Sequence, residues 1–358
     1  RYKIGFEFPF FEQKHLQESH SHFAFTGWIS HTLMVLMISY IAKKYNELNL
    51  VFNTRLYNRI VLANLLCSFA MLISFIIEGY GMVSIVFSTI SLLISFVFGF
   101  YFIKNCLRLP ASNLVTKWFK AAVFFNIISS FGTLALAYMM ATKNIYQNEY
   151  LASIYYYLHF QYNGWFFFAC MGLLFSFLNL KSSENLFFKK TFWLFFASCI
   201  PAYFLSTLWL DLPIWIYLIT VIAAFVQVYT WFRFLIIIVK TKKEFLENFP
   251  FFLRYILLFV GLALSIKFML QLGSTIPAIS QLAFGFRPIV IAYLHLVLLA
   301  IISLFLLFYI YANHLIHFNK PIKMGIIIFS IGVLLNEIIL AVQGIASFSY
   351  TIIPFANE

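Results

Sequence analysis

Two short phrases carry the residues most suited to chemistry. HSHFAFTGW spans His20 to Trp28, and HFQYNGW spans His159 to Trp165. Both contain His-Phe-x-aromatic-x-Gly-Trp. His22 and His159 stand 137 residues apart, and 136 residues further on stands His295 in YLHL. The second and third copies share Tyr-Leu-His, at Tyr157 to His159 and at Tyr293 to His295. A neutral imidazole binds copper, zinc or haem iron through one ring nitrogen. A histidine inside an apolar helix is costly without a partner or a metal. Three of them in one repeated context point to ligation. Within the first phrase, His20 and His22 are two apart, about 200° around a helix. His31 follows His20 by eleven residues, about 20° off the same face and about 16 Å deeper. His20 and His31 are therefore candidates for one face and His22 for the other. His15, His20 and His22 are alternatively an exposed metal-capturing cluster.

The elements that must position these histidines are set by composition. The chain has 358 residues, 63% hydrophobic, 21% aromatic and only 10% charged, with mean hydropathy +0.91. A soluble domain carries about a quarter charged residues, so this is an all-α polytopic membrane protein. Its net charge of +12 reports basic cytoplasmic loops and does not imply nucleic acid. Cys67, Cys106, Cys170 and Cys199 lie far apart in apolar runs, with neither metal-site nor disulfide spacing. Residues 1–19 do not read as a cleavable signal peptide. Ten spans are expected, at roughly 22–42, 59–78, 82–103, 117–141, 151–179, 190–210, 213–239, 251–272, 288–312 and 323–347.

The loops alternate in charge. One set carries Lys43, Lys44, Arg55 and Arg59; Lys104, Arg108, Lys117 and Lys120; Lys181, Lys189 and Lys190; Lys240, Lys242, Lys243 and Arg254; and Lys320 and Lys323. The other set is poor in base, with Arg287 alone in its last member, residues 273–287. This positive-inside pattern places both termini outside. A period of about 136 residues covers four spans, so His22, His159 and His295 fall on spans 1, 5 and 9 at similar depth. The repeat-like units are about 20–150, 151–287 and a truncated 288–358, in one transmembrane domain. His314 and His317 sit at the basic end of span 9 and read as interfacial.

On these residues the chain resembles the catalytic subunit of the haem–copper oxidase superfamily, in particular its nitric oxide reductase branch and related membrane haem–copper proteins linked to nitric oxide. The resemblance implies a pseudo-threefold fold of three four-helix arcs, with metal-binding histidines toward the outer side. It implies a bacterial inner membrane, haem and copper as cofactors, reduction of oxygen or nitric oxide, and electrons from another respiratory subunit, a cytochrome or a quinol. His159 matches the copper ligand that the reductase branch follows with glutamate and glycine. Here Asn163 and Gly164 hold those places. His22 and His295 match by position the second and tenth helices. Span 6 lacks the family's adjacent histidine pair.

Three readings follow. In the first, His22 and His295 are an axial pair for haem, His159 serves a second metal, Arg287 neutralises a propionate, and Trp28 and Trp165 wall the cofactor. In the second, the three histidines meet at one copper or zinc ion in a metal carrier or haem-free reductase. In the third, the chain is a structural or assembly subunit without chemistry of its own. Glu78, Arg233, Lys267 and Glu337 are candidates for proton or ion pathways. Lys267, near a span end, is expected to snorkel to the interface, and Glu337 is the deepest acid. No Cys-x-x-Cys-His haem-attachment motif occurs.

Overall fold

The computed structural model describes residues 11–110, 113–178, 184–241, 247, 249–285, 287–316 and 319–348. Every regular element among them is helical. We number the helices along the chain. Helix α1 runs Gln13–Glu47, α2 Thr54–Glu78, α3 Met82–Cys106 and α4 Leu114–Thr142. Helix α5 covers 147–177 and α6 Asn185–Cys199, continued by a 3₁₀ stretch Pro201–Thr207. Helix α7 is Ile214–Thr241, α8 Phe251–Gly273, α9 the short Pro277–Gly285, α10 spans 287–312 and α11 is Lys320–Phe348.

Eight of these are long and apolar enough to cross a membrane: α1 to α4, α7, α8, α10 and α11. The chain is an integral membrane protein. The expected spans 151–179 and 190–210 are not among the eight. Helix α5 carries His159, Gln161 and Asn163 in its middle, and α6 is α-helical for only 15 residues before Pro201. Proline lacks an N–H and clashes with the preceding turn, so α6 tightens into 3₁₀ geometry there. Lys181, Lys242, Lys243 and His317 lie outside the described residues.

Helix starts follow the sequence closely. Asn53 caps α2 by accepting from Leu56 N, and Asn113 caps α4 by accepting from Val115 N and Thr116 N. Glu78 does the same work across a turn. Its Oε1 accepts from Ser84 N at 2.6 Å, placing a carboxylate at the positive end of α3.

Helices α1, α5 and α10 are each interrupted by a π-helical segment, at Ala24–Ser30, Phe160–Phe166 and Leu296–Ser303. The three segments begin 136 residues apart. Each opens one or two residues after His22, His159 or His295. π-Turns inside α-helices re-aim side chains and are enriched at functional sites. Tryptophans tie the segments together. Trp28 Nε1 donates to Ser303 Oγ at 2.9 Å, and Trp165 Nε1 donates to Ser30 Oγ at 3.0 Å. Trp165 is fully buried. In an apolar interior an indole N–H gains from such a partner, which the buried Trp118 Nε1 lacks among the described residues.

Helices α4 and α5 form the tightest contact. A Cβ at Gly132 would lie 2.6 Å from Ser153 O, and one at Gly164 would lie 2.5 Å from Phe125 Cβ. Small residues let transmembrane backbones approach closely. Gln161 bridges the same contact by donating to Asn126 Oδ1 and Ser129 Oγ, and Asn126 donates to Ser95 Oγ on α3. Around this crossing the core is aromatic. Trp118 stacks on Phe175 at 5.5 Å and meets Phe192 edge-on at 5.1 Å. We expect Gly164→Ala to destabilise the protein by about 1–3 kcal/mol through overpacking, read as a lower unfolding temperature in detergent. An unchanged temperature would contradict the close-crossing account.

Candidate functional site

The most unusual surroundings belong to His159, which is 1% exposed. Its Nε2 lies 2.9 Å from Cys199 O, and its Nδ1 lies 3.1 Å from Asn163 Nδ2. A carbonyl only accepts, so Nε2 carries the proton and donates; Nδ1 then accepts from the Asn163 amide. The break in α6 makes this arrangement available. Tyr203 N bonds Ile200 O at 3.2 Å, the short 3₁₀ register, instead of reaching back four residues to Cys199 O. That carbonyl is left for His159. The Cys199 thiol in turn donates to Asn163 O at 3.6 Å. His159, Asn163 and Cys199 therefore form one clip between α5 and α6. Tyr203 closes it from the side, its ring 6.1 Å from the imidazole.

Lys267 enters the same interior from α8. It is 4% exposed and does not snorkel to the interface. Its ammonium lies over the Phe268 ring at 4.1 Å and 5.8 Å from the Phe167 ring. Among the described residues no carboxylate pairs with it. Helices α7 and α8 run antiparallel, tied by Tyr217 OH to Thr275 O and by Trp231 Nε1 to Ser265 Oγ. This register brings Gln227 level with Lys267. Asn163 Oδ1, Gln227 Oε1 and Gln271 Oε1 are buried without a hydrogen-bond donor. A lysine with donors to give thus shares an interior with amide oxygens that lack them. A buried polar group left unpaired costs about 1–3 kcal/mol, so such a cluster is a site where a ligand or water has something to do.

The other sequence candidates have different partners. His22 stacks on Phe75 at 4.1 Å, and its Nε2 meets Tyr80 OH at 3.1 Å. His295 places Nδ1 2.8 Å from Ile291 O, one turn back on its own helix. That bond fixes the proton on Nδ1 and leaves the Nε2 lone pair unspent. His22, His159 and His295 are each engaged by residues near them in sequence or on the next helix. Among the described residues no three His, Cys, Asp or Glu side chains form a group able to hold a metal. His20 is exposed, while His31 Nδ1 lies 3.3 Å from Asn64 Nδ2 and joins α1 to α2. His15 pairs with Glu12 at 3.3 Å. Arg287 opens α10, and its side chain lies outside the described residues. Glu78 is the cap of α3. Glu337 is half-buried on α11 and accepts from its neighbour Asn336, at 3.4 Å. Arg233 bonds Tyr229 OH on its own helix at 3.2 Å.

Cys199 was legible in the sequence only as a small apolar residue; what gives it a role is the proline two positions later. The chain matches no protein-family model and no curated protein.

We expect His159 to be the Nε2–H tautomer, which ¹⁵N shifts of the labelled imidazole report directly; an Nδ1–H tautomer would contradict the clip. Asn163→Leu leaves Nδ1 buried without a donor, and we expect a loss of about 1–3 kcal/mol in thermal unfolding.

Proposed function

We propose that this chain consists of three related helical units around a common centre, and that it handles a proton or a small anion at Lys267 within the second unit. The units are 20–150, 151–287 and 288–358. The repeat reading is supported by the 136-residue spacing of the π segments and by contacts that recur from unit to unit. Trp28 bonds Ser303 and Trp165 bonds Ser30, so one unit's indole meets another's hydroxyl twice. At the third junction the corresponding positions are Ile301 and Phe167, and both are buried in the core. Indole and hydroxyl have been exchanged together for apolar partners. Phe25 lies 6.2 Å from Tyr157, and the corresponding Tyr162 lies 6.0 Å from Tyr293. This plan agrees with the resemblance to the haem–copper oxidase superfamily.

The observation that carries the function is the 4%-exposed Lys267, level by helix register with Gln227 and one turn from Gln271, whose side-chain oxygens lack donors among the described residues. An ionisable group at membrane depth is expensive and usually marks an ion or proton path. Without a carboxylate beside it, Lys267 either releases its proton to the polar interior or accepts a counter-anion there. His159, whose Nε2 donates to Cys199 O and whose Nδ1 accepts from Asn163, is a titratable group on α5 that could serve as a relay. The experiment is flux of protons and of chloride into proteoliposomes. We expect Lys267→Met to lower the flux at least about tenfold, about 1.4 kcal/mol in barrier. Lys267→Arg separates the cases, because arginine keeps the charge and does not release its proton: it keeps anion flux and loses proton flux. Wild-type flux in Lys267→Met, or none in the wild-type protein, would overturn the reading.

A second reading keeps haem or copper, and the unspent Nε2 of His295 favours it. His159 does not fit as a metal ligand in this arrangement, because both its nitrogens are spent. His295 is the ligand to test, with His22 as its axial partner only if Tyr80 gives way. We expect iron or copper analysis and an absorption band near about 400–430 nm to be lost in His295→Ala. A wild-type protein purified from native membranes without either metal would retire this reading.

A further inference from the structure

Arg233 interrupts an apolar outer surface. On α7, Leu218, Ile222, Phe225, Tyr229, Ile236 and Val239 are exposed at helical spacing and form one stripe. Arg233 is exposed within it, between Tyr229 and Ile236 and eight residues before α7 ends at Thr241. Its guanidinium lies 5.7 Å from the Tyr229 ring and reaches across to α6, 5.9 Å from the Phe187 ring. Phe188 meets Phe234 beside it at 6.3 Å, so the two helices touch here. Phe187 is the third residue of α6, which sets Arg233 level with the start of that helix. The sequence on either side of this end is basic, with Lys181 before α6 and Lys240, Lys242 and Lys243 at and after the end of α7.

The charge there has no protein counterpart among the described residues. Arg233 gives one N–H to Tyr229 OH at 3.2 Å, and no carboxylate pairs with it. A guanidinium carries five N–H donors, so most are unspent. A second cation stands on the same side. Lys190 is exposed on α6 one turn beyond Phe187, again with no ion pair among the described residues. One turn further along α6 is Trp193, 57% exposed. Arginine and lysine set beside exposed tyrosine and tryptophan at one end of a bundle are the residue types of a membrane–water interface. The stripe faces away from the protein interior, so the counter-charge has to come from what surrounds the helices.

We infer that an anionic phospholipid binds at this end of the α6–α7 face, with its phosphodiester on Arg233 and Lys190 and its acyl chains along Phe225 and Ile222. A phosphodiester offers two charged oxygens, which the planar fork of arginine meets bidentately. Cations near a membrane surface attract anionic headgroups. The apolar stripe runs from Arg233 back along α7, away from the basic end. One lipid molecule therefore meets the charge and the apolar surface together, whereas a free phosphate meets only the charge. Arg233 then belongs to the lipid boundary of the protein, apart from the interior that holds Lys267.

The test is native mass spectrometry of the delipidated full chain in detergent, titrated with phosphatidylglycerol or with phosphatidylcholine of the same acyl chains. We expect the wild-type protein to bind phosphatidylglycerol in preference. Arg233→Gln should weaken that binding at least about fivefold and leave phosphatidylcholine binding unchanged. Lys240→Gln removes a cation two turns further along α7 and should leave the preference intact. A second measurement needs no variant: raising the ammonium acetate concentration should erode the wild-type preference, because salt screens the headgroup attraction. Equal binding of the two lipids by the wild-type protein would overturn the proposal, as would full phosphatidylglycerol binding by Arg233→Gln. An equal loss in Lys240→Gln would overturn it too, since the attraction would then belong to the whole basic end. Displacement of the lipid by inorganic phosphate would assign the site to a free anion, and a co-purifying polypeptide that blocks phosphatidylglycerol would assign it to a protein; either result would retire the lipid site.

Discussion

Lipid supplies no hydrogen bonds, so every polar atom drawn into this fold has to find a protein partner or stand out by lacking one. That constraint organises the molecule. It explains why the two indole N–H groups at the helix junctions meet serine hydroxyls, why Gln161 reaches two acceptors on α4, and why the Glu78 carboxylate folds onto the start of α3. It also makes the exceptions informative. Among the described residues, Asn163, Gln227 and Gln271 each leave a buried oxygen unmatched, and Trp118 Nε1, Thr230 Oγ1, Ser280 Oγ and Ser330 Oγ are unmatched too.

The π segments and the Pro201 break are two solutions to one geometric need. A regular helix presents its side chains at fixed angles and consumes its own carbonyls. Helix α5 turns more widely across Phe160–Phe166, and α6 tightens after Cys199. Asn163 sits beside His159 at the i,i+4 spacing that any helix provides, and the second change frees the carbonyl that His159 needs. Neither helix alone would hold the imidazole with both nitrogens engaged.

Much of this was legible in the sequence. Composition gave the membrane class, and the apolar runs at α1 to α4, α7, α8, α10 and α11 stand where spans were expected. The phrase His-Phe-x-aromatic-x-Gly-Trp stands where two of the π segments lie, and its tryptophans make the bonds to Ser303 and Ser30. Three things were hidden. The π geometry depends on which backbone hydrogen bonds slip by one residue, and no side-chain pattern announces that. The direction of each histidine depends on the neighbouring helix: Phe75 and Tyr80 hold His22, while Cys199 O holds His159. Lys267 looked like an interfacial lysine because its place near a helix end is visible, whereas the rings of Phe167 and Phe268 above it come from the fold.

The three π segments also bear on descent. A π-turn arises when one residue is added to an α-helix without breaking it, at a cost in regularity. On the repeat reading, finding that addition at the same place in α1, α5 and α10 means it was already present in a four-helix ancestor before that ancestor was copied. The Trp–Ser pairs would then be older than the chain, inherited from contacts between identical subunits of a symmetric trimer. On the same reading, Ile301 and Phe167 at one junction would record the freedom that fusion gave, since joined copies no longer have to change together.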